Sequence, residues 1–306
     1  MAEAAQTDLS NAAIRPPLQR RRSLPQISWK WLGVVPFFLF VIAFQLFPSV
    51  SIAVHSFLND AGKFTLDNIA SLNQPLVASS YLSSIKLSLF CSLLGGLLGF
   101  GLAWAITIGG LPTSIRSAVI SFCGVGANFG GIPLAFAFLA TIGRTGLVTK
   151  GLSALGLNLY PDFNVSSFLG LCITYTYFQI PLMVLVLTPA LDGLRREWSE
   201  AAENLGASRL EYWRFVALPI LLPSILGALT LLFANAFGAQ ATAFQLIGGA
   251  GQNLVITLMV SAQFSTDTKA NIGLGNALAF GMIIIIGLTI LLYSWLRRRA
   301  ERWQVR

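Results

Sequence analysis

The chain has 306 residues, of which 55% are hydrophobic and 10% charged, and its mean hydropathy is +0.71. Because soluble domains carry about 25% charged residues, this composition excludes a soluble enzyme, a disordered chain and a disulfide scaffold, and it indicates a membrane protein with several spans. Twenty Lys and Arg against twelve Asp and Glu give a net charge of +8, but these charges lie in tails and loops and do not indicate a nucleic-acid surface.

Six apolar stretches are long enough to cross a bilayer as helices, which takes about 20 residues each. They do not alternate apolar and polar residues as the strands of a membrane β-barrel do. They cover residues 31–57, 83–108, 117–142, 166–191, 218–247 and 272–296. The sequence therefore predicts an all-α, polytopic membrane protein with six transmembrane helices.

The distribution of basic residues predicts the orientation of these spans. Fifteen Lys and Arg lie in the two tails and in the loops after the second and fourth spans, against five in the remaining loops. Because cytoplasmic segments are enriched in Lys and Arg, both termini are predicted to be cytoplasmic. Residues 1–28 and 299–306 are predicted to be basic tails, the first of them disordered, on either side of a transmembrane domain at 29–298.

Residues that catalyse reactions or bind metals are scarce. His55 is the single histidine, and Cys91, Cys123 and Cys172 lie in apolar stretches without CxxC spacing, so the sequence predicts no metal site and no catalytic site. The middles of the spans lack Asp and Glu, which argues against a proton-driven secondary carrier. The GxxxxGK[ST] motif is absent, so the chain is not expected to bind nucleotide by itself.

The polar residues at membrane depth are neutral, and five of them are candidates for lining a translocation pathway. These candidates are Asn128, Tyr175, Gln179, Asn235 and Gln240. Because buried amides in lipid need hydrogen-bond partners, they either bond neighbouring helices or line a water-filled path. Both interpretations are open at this point.

Small residues recur every four positions on two faces of the second span. The first face carries Ser84, Ser88, Ser92 and Gly96, and the second carries Gly95, Gly99 and Ala103. Small side chains allow helix backbones to approach closely in a membrane. Both faces are therefore predicted to pack tightly against other helices.

The loop between the fourth and fifth spans, residues 192–217, is long, charged and patterned. A helix is expected from residue 195 to its stop at Gly206, and Ser208 with Glu211 has the spacing of a capping box that opens a second helix. Ala201, Ala202 and Leu205 form a small apolar face among charges, which suits docking into a groove on a partner. The alternative is an amphipathic surface helix pair held by its own charge pairs.

This loop resembles the EAA loop of binding-protein-dependent ABC importer permeases. The matching residues are Glu200, Ala201, Ala202, Gly206, Leu218, Pro219 and Pro223, with Val216 where the family usually has isoleucine. Similar stretches occur at Pro48, Ser56-Phe57, 64–68, 143–147 and 276–279. The sequence pattern of residues 234–239 is most similar to that of the type I group handling polyamines, sulfate, iron and phosphonates.

The resemblance implies a type I ABC importer permease fold in a bacterial inner membrane and assigns roles to the loop. It implies that the loop seats in a cleft on the ATPase, with Glu200 as an anchor and Gly206 at a turn where a side chain would collide. The residues that would couple to the ATPase are Glu200, Ala201, Ala202, Leu205, Gly206, Leu218 and Pro219.

The same resemblance implies the partners. They are a dimer of cytoplasmic ATPase subunits that uses ATP and Mg²⁺, a second permease that is identical or homologous, and a periplasmic or lipid-anchored solute-binding protein at outer loops 58–82, 144–165 and 248–271. The chain itself would bind no cofactor and no nucleic acid and would catalyse no reaction. Its substrate would be a polyamine or another small polar solute. A membrane scaffold subunit and a secondary carrier are the alternative classes.

Overall fold

The computed structural model describes residues 33–59, 61–248, 255–265 and 271–301. Contacts divide the chain into two units, Met1–Ser49 and Val50–Arg306. In the first unit, helix α1 (Val35–Val41) has Pro36 in its first turn, where a missing N–H costs nothing, and a π-helical turn over Ile42–Leu46 follows. The predicted tail at 1–28 lies outside the described residues.

The second unit consists of helices, and its described part contains no strand beyond one isolated bridge between Leu58 and Phe64. The helices from α2 onward are α2 (Phe47–His55), α3 (Asp67–Ala70), α4 (Pro75–Ile108), α5 (Thr113–Asn128), α6 (Gly131–Ile142), α7 (Leu147–Ala154), α8 (Phe168–Asp192), α9 (Arg196–Asn204), α10 (Arg209–Tyr212), α11 (Leu218–Gly238), α12 (Ala241–Ile247), α13 (Ile256–Gln263) and α14 (Ile272–Glu301). The predicted all-α class is confirmed.

Six segments of the described chain are long and apolar enough to cross a membrane, which confirms the predicted number, although the third begins at Gly131 rather than at the predicted residue 117. They are Val35–His55, Pro75–Ile108, Gly131–Ala154, Phe168–Asp192, Arg209–Gly238 and Ile272–Arg299. The second segment begins eight residues before its predicted start at 83, so the loop between the first two segments is shorter than expected. Helix α14 continues to Glu301, beyond the predicted start of the C-terminal tail.

The third and fifth apolar stretches are each interrupted within their predicted bounds of 117–142 and 218–247. The third stretch breaks between α5 and α6, where Gly131 has a φ of +68° and Pro133 has no N–H to donate. The fifth stretch breaks between α11 and α12 at Ala239, which has an extended backbone. Each break exposes helix-end backbone groups in the middle of a predicted span.

Helices α4 and α8 pack with their backbones in close contact. A Cβ added at Gly99 would lie 2.5 Å from Met183 Cβ and 2.7 Å from the Ile180 carbonyl oxygen, both on α8. A Cβ at Gly96 would lie 2.4 Å from Leu229 Cδ2 on α11. The two small-residue faces predicted for the second span therefore serve two different neighbours, which confirms the prediction of tight contacts.

Two π-helical turns occur directly before prolines. The N–H of Phe47 bonds to the Ile42 carbonyl before Pro48, and the N–H of Leu218 bonds to the Trp213 carbonyl before Pro219. Proline cannot make the usual bond one turn back, and a wider turn accommodates that loss. Because of the second π turn, α10 runs without interruption into α11, so the fifth span begins at Arg209 rather than at the predicted Leu218.

Alanine substitution at Gly99 tests the α4–α8 contact against a control on the same helix. Gly99→Ala forces a methyl group into Met183 and the Ile180 carbonyl, and overpacking of this kind costs about 1–3 kcal/mol. We expect a lower melting temperature in detergent. Gly101→Ala is the control, because a Cβ there meets no atom within 4 Å, and its melting temperature should stay unchanged or rise. Equal melting temperatures for both variants would contradict the packing.

Candidate functional site

The loop at residues 192–217 folds as a helix, a glycine turn and a second helix. At the end of α9 the Gly206 N–H donates to the Glu203 carbonyl at 2.9 Å, and the Ala207 N–H donates to the Ala202 carbonyl at 3.0 Å. This pair of bonds is a Schellman motif, which needs a left-handed residue at its centre. Gly206 has a φ of +81°, and the predicted helix stop is confirmed.

Glycine is needed at residue 206 because of its backbone conformation. A Cβ built on Gly206 meets no atom within 4 Å, so the collision implied by the family resemblance is not present within this chain. A left-handed conformation costs a residue with a Cβ about 1–2 kcal/mol. Glycine is therefore favoured at residue 206 by the positive backbone φ and not by a lack of room for a side chain.

The predicted capping box at the start of α10 is confirmed. The Ser208 N–H donates to Glu211 Oε2 at 2.7 Å, and the Glu211 N–H donates to Ser208 Oγ at 3.3 Å. The turn at Gly206 and this cap are two residues apart, so both sides of the turn are fixed by hydrogen bonds. The loop is thus a preformed element rather than an irregular connection.

Charged and apolar side chains of the loop project away from the chain. Glu200 pairs with Arg196 within α9 at 3.0 Å, and both side chains are largely exposed. Leu205 is 88% exposed and Leu210 is 78% exposed. Phe215 is also exposed. We call Leu205, Leu210 and Phe215 the apolar loop surface.

The other predicted coupling residues occupy different environments. Ala201 is exposed, whereas Ala202 is half-buried and its carbonyl is used in the turn. Leu218 and Pro219 are exposed in the first turn of α11. The sequence reasoning did not identify Leu210 and Phe215, although large apolar residues among charges are the signal that would have indicated them.

One ion pair connects the beginning of the loop to another helix. Arg116 in the first turn of α5 and Asp192 at the end of α8 lie 2.5 Å apart, with side chains 33% and 43% exposed. Among the described residues it is the one ion pair that joins two helices, since the Arg196–Glu200 pair lies within α9. The start of the loop is therefore tied to the helix that leads to the first break.

The two helix breaks meet at a cavity of about 570 Å³. Its wall is formed by residues at the end of α5, the start of α6, the middle of α8, the end of α11 and the start of α12. The lining residues are Ala127, Asn128, Gly130, Gly131, Phe178, Ala234, Asn235, Gly238, Ala239, Gln240, Ala241 and Thr242. None of these described lining residues carries a charge, so the cavity offers amide, hydroxyl and backbone groups to a ligand.

The structure brings together three of the five predicted pathway residues. Asn128, Asn235 and Gln240 line this cavity, and their side chains are exposed. The Asn128 amide nitrogen donates to the Gly124 carbonyl at 2.9 Å, so this bond uses the donor and not the oxygen of the side chain. Phe178, which the sequence reasoning did not identify, forms an aromatic part of the wall.

Tyr175 and Gln179 are placed in the packing between helices and not on the cavity wall. Both side chains are buried. The Tyr175 hydroxyl donates to the carbonyl of Ala239 at the second break. The Gln179 Nε2 donates to the Leu232 carbonyl on α11 at 2.7 Å. Their observed contacts support the helices that surround the cavity.

Comparisons with known proteins agree with this architecture. Residues 133–304 match the family model described as binding-protein-dependent transport system inner membrane component. The spermidine/putrescine transport system permease protein PotB of Escherichia coli (strain K12) is 27% identical over 259 residues, covering 83% of this chain and 92% of that protein. The molybdenum transport system permease protein ModB of Mycobacterium tuberculosis (strain ATCC 25618 / H37Rv) is 26% identical over 253 residues, covering 82% of this chain and 88% of that protein.

A solved structure shares the fold at lower identity. A chain in the crystal structure of a bacterial alginate ABC transporter, in complex with alginate pentasaccharide-bound periplasmic protein, superimposes with a TM-score of 0.68 at 16% identity. The match covers 89% of this chain and 97% of that one. The family model covers more than half of this chain, and the fold is that of ABC importer permeases. The chain belongs to the family of inner-membrane components of binding-protein-dependent transport systems, and it is a multi-pass permease subunit of an ABC importer.

Proposed function

We propose that this chain forms the substrate pathway of its importer and couples that pathway to a separate cytoplasmic ATPase dimer that binds ATP and Mg²⁺. The observation that carries the proposal is the preformed loop at 192–217, whose glycine turn leaves Leu205 exposed just before the fifth spanning segment and is followed by exposed Leu210 and Phe215 at the start of that segment. Exposed apolar side chains on a rigid helical element are typical of a surface that docks into a groove on a partner.

Glu200 contributes charge to this docking surface. Its carboxylate is paired with Arg196 on an exposed helix, and exposed pairs of this type contribute less than about 1 kcal/mol. The pair can therefore open at little cost when Glu200 meets a donor on the ATPase. Ala201 is exposed beside it, and its small side chain permits close approach of the ATPase to α9.

The cavity at the two helix breaks is the proposed pathway. In hydrocarbon, an interrupted helix is tolerated where its backbone lies against protein or lines a water-filled space. Asn128, Asn235 and Gln240 supply neutral hydrogen-bonding groups there, which suits a polar solute that is held weakly enough to leave. A polyamine or another small polar solute fits this wall, and one relative, PotB, is named for spermidine and putrescine transport.

The remaining partners follow from the proposed orientation. Both termini and the loop at 192–217 face the cytoplasm, and a periplasmic or lipid-anchored solute-binding protein docks on the opposite side. That side has a cavity of about 610 Å³ lined by Arg144, Tyr160 and Asn164, among others. A second permease, identical or homologous, completes the pathway.

Substitutions at residue 206 test the coupling loop. We expect the substrate-stimulated ATPase activity of the assembled importer to fall in the order Gly, Asn, Val, because Asn tolerates a left-handed φ and a β-branched residue does not. A cost of about 1–2 kcal/mol for the turn predicts an activity loss of about tenfold for Gly206→Val. Co-purification of the ATPase and the amount of permease in the membrane serve as controls. Full activity of Gly206→Val would contradict the proposed role of the turn.

Charge reversal tests the connection between the loop and α5. Arg116→Asp and Asp192→Arg each place two like charges at a 2.5 Å contact, so we expect each variant to transport less solute per ATP hydrolysed. The double variant restores opposite charges and should recover most of the transport. The decisive readout is the ratio of transport to ATP hydrolysis in proteoliposomes. Losses that add in the double variant would show that the pair has no coupling role.

Matched substitutions separate the pathway from the packing around it. Asn235→Leu keeps the side-chain size but removes the polar wall, so we expect lower transport with an unchanged melting temperature. Gln179→Leu removes a buried hydrogen bond, worth about 0.5–1.5 kcal/mol, and is expected to lower the melting temperature. Uptake by proteoliposomes and thermal unfolding are measured for both variants. Normal uptake by Asn235→Leu would remove Asn235 from the pathway.

A further inference from the structure

A second cavity lies between the loop at 192–217 and the ends of two transmembrane helices. Its volume is about 850 Å³, and it is bounded by the C-terminal ends of α4 and α8, by α9 and by α10. Trp104 and Trp213 meet edge to face on its wall, with ring centroids 6.2 Å apart. Three arginines, Arg195, Arg196 and Arg209, also line it. None of the coupling contacts described above accounts for this cavity.

The charges on the wall are not mutually neutralised. Asp192 is held by Arg116 at 2.5 Å, and Arg196 is held by Glu200 at 3.0 Å. Within the part of the chain that the structure describes, no ion pair holds Arg195, Arg209 or Glu203. Arg195 and Arg209 therefore line the cavity against one carboxylate that is likewise outside any ion pair, which leaves the wall positive, and the Arg195 guanidinium also lies 5.9 Å from the centroid of the Trp198 ring.

The shape and chemistry of the wall suit a phosphate group. Guanidinium groups present a planar fork of donors that matches phosphate oxygens, and they bind phosphate more specifically than a point charge does. Thr107 also lines the cavity, and its hydroxyl oxygen is buried without a hydrogen-bond partner in the structure. A buried hydroxyl without a partner costs free energy, and a bound anion would accept its hydrogen bond.

The position of the cavity favours a lipid as the source of that phosphate. It opens where α4 ends, and tryptophans are enriched where helices leave the membrane. Ile108 on the wall and Leu111 beside it are about 40% exposed, so apolar surface continues outward from the charged part of the site. Basic pockets between transmembrane helices are a general type of binding site for acidic lipid headgroups.

We propose that this cavity binds a phosphate-bearing anion, and that the headgroup of an anionic phospholipid is its ligand. The headgroup phosphate contacts Arg195 and Arg209, while the acyl chains lie along the apolar surface next to Ile108. A bound lipid then joins the end of α4 to the loop at 192–217. This inference concerns binding and is independent of the proposed coupling to an ATPase.

The test measures lipid binding by the full-length chain in nanodiscs of phosphatidylcholine with and without phosphatidylglycerol. Retained phosphatidylglycerol is quantified by native mass spectrometry for Arg195→Gln/Arg209→Gln and for the control Arg214→Gln/Arg298→Gln, whose arginines lie outside the cavity wall. Loss of two charge-assisted contacts predicts an affinity for phosphatidylglycerol at least about tenfold lower in the cavity variant. The control variant should stay within about twofold of the unmodified chain. Arg195→Lys/Arg209→Lys keeps the two positive charges but removes the planar guanidinium donors. Its affinity for phosphatidylglycerol is expected to lie between those of the cavity variant and the control variant.

Competition by soluble anions distinguishes the two sources of phosphate. If inorganic phosphate and glycerol 3-phosphate fail to displace phosphatidylglycerol, the site is a lipid site as proposed. Displacement by either soluble anion would overturn the lipid assignment in favour of a soluble anion. Equal losses in the cavity and control variants, or equal retention of phosphatidylcholine, would overturn the site itself. If the double variant does not fold, Arg209→Gln alone is compared with Arg214→Gln by the same measurement.

Discussion

The hydrogen bond from the Tyr175 hydroxyl to the Ala239 carbonyl is the interaction on which the interior of the permease depends. Hydrocarbon supplies no partner for a backbone carbonyl freed by a broken helix, so a break in a span persists only where protein or water satisfies it. Tyr175 does so from the neighbouring helix α8, and Thr242 at the start of α12 donates across to the Gly131 carbonyl at 3.3 Å. These contacts hold the two breaks beside each other, at the start of the spanning segment Gly131–Ala154 and at the end of Arg209–Gly238, and the polar cavity lies between them.

Helix α8 connects this cavity to the loop through one continuous element. It runs from Phe168 to Asp192, with Tyr175 near the second break and Asp192 at the start of the loop. Its close contact with α4, made possible by Gly95 and Gly99, leaves little freedom for the two helices to slide independently. Displacement of the loop is therefore expected to move α8 as a rigid lever rather than to be absorbed by local rearrangement.

Sequence patterns predicted the parts of this structure that depend on local chemistry. The six apolar segments, the helix stop at Gly206 and the capping box at Ser208 all follow from residue type and spacing over a few positions. The first break lies at the sequence Gly130-Gly131-Ile132-Pro133, where glycine and proline are local signals for the boundary of a helix. The second break has a weaker local signal. The Ala239 carbonyl there is bonded by Tyr175, which is 64 positions away in the sequence. For the same reason, the division of the polar residues into cavity wall and interhelical packing required the three-dimensional arrangement.

We propose that the turn at Gly206 transmits nucleotide-driven motion to the cavity. The most direct measurement is the rate at which a soluble thiol reagent labels Asn235→Cys in the assembled importer, with and without ATP. The native Cys91, Cys123 and Cys172 are buried and give the background rate. We expect ATP to change the labelling rate in the otherwise native chain and Gly206→Val to abolish this change. A rate that is insensitive to ATP, or that responds equally in the Gly206→Val background, would contradict it.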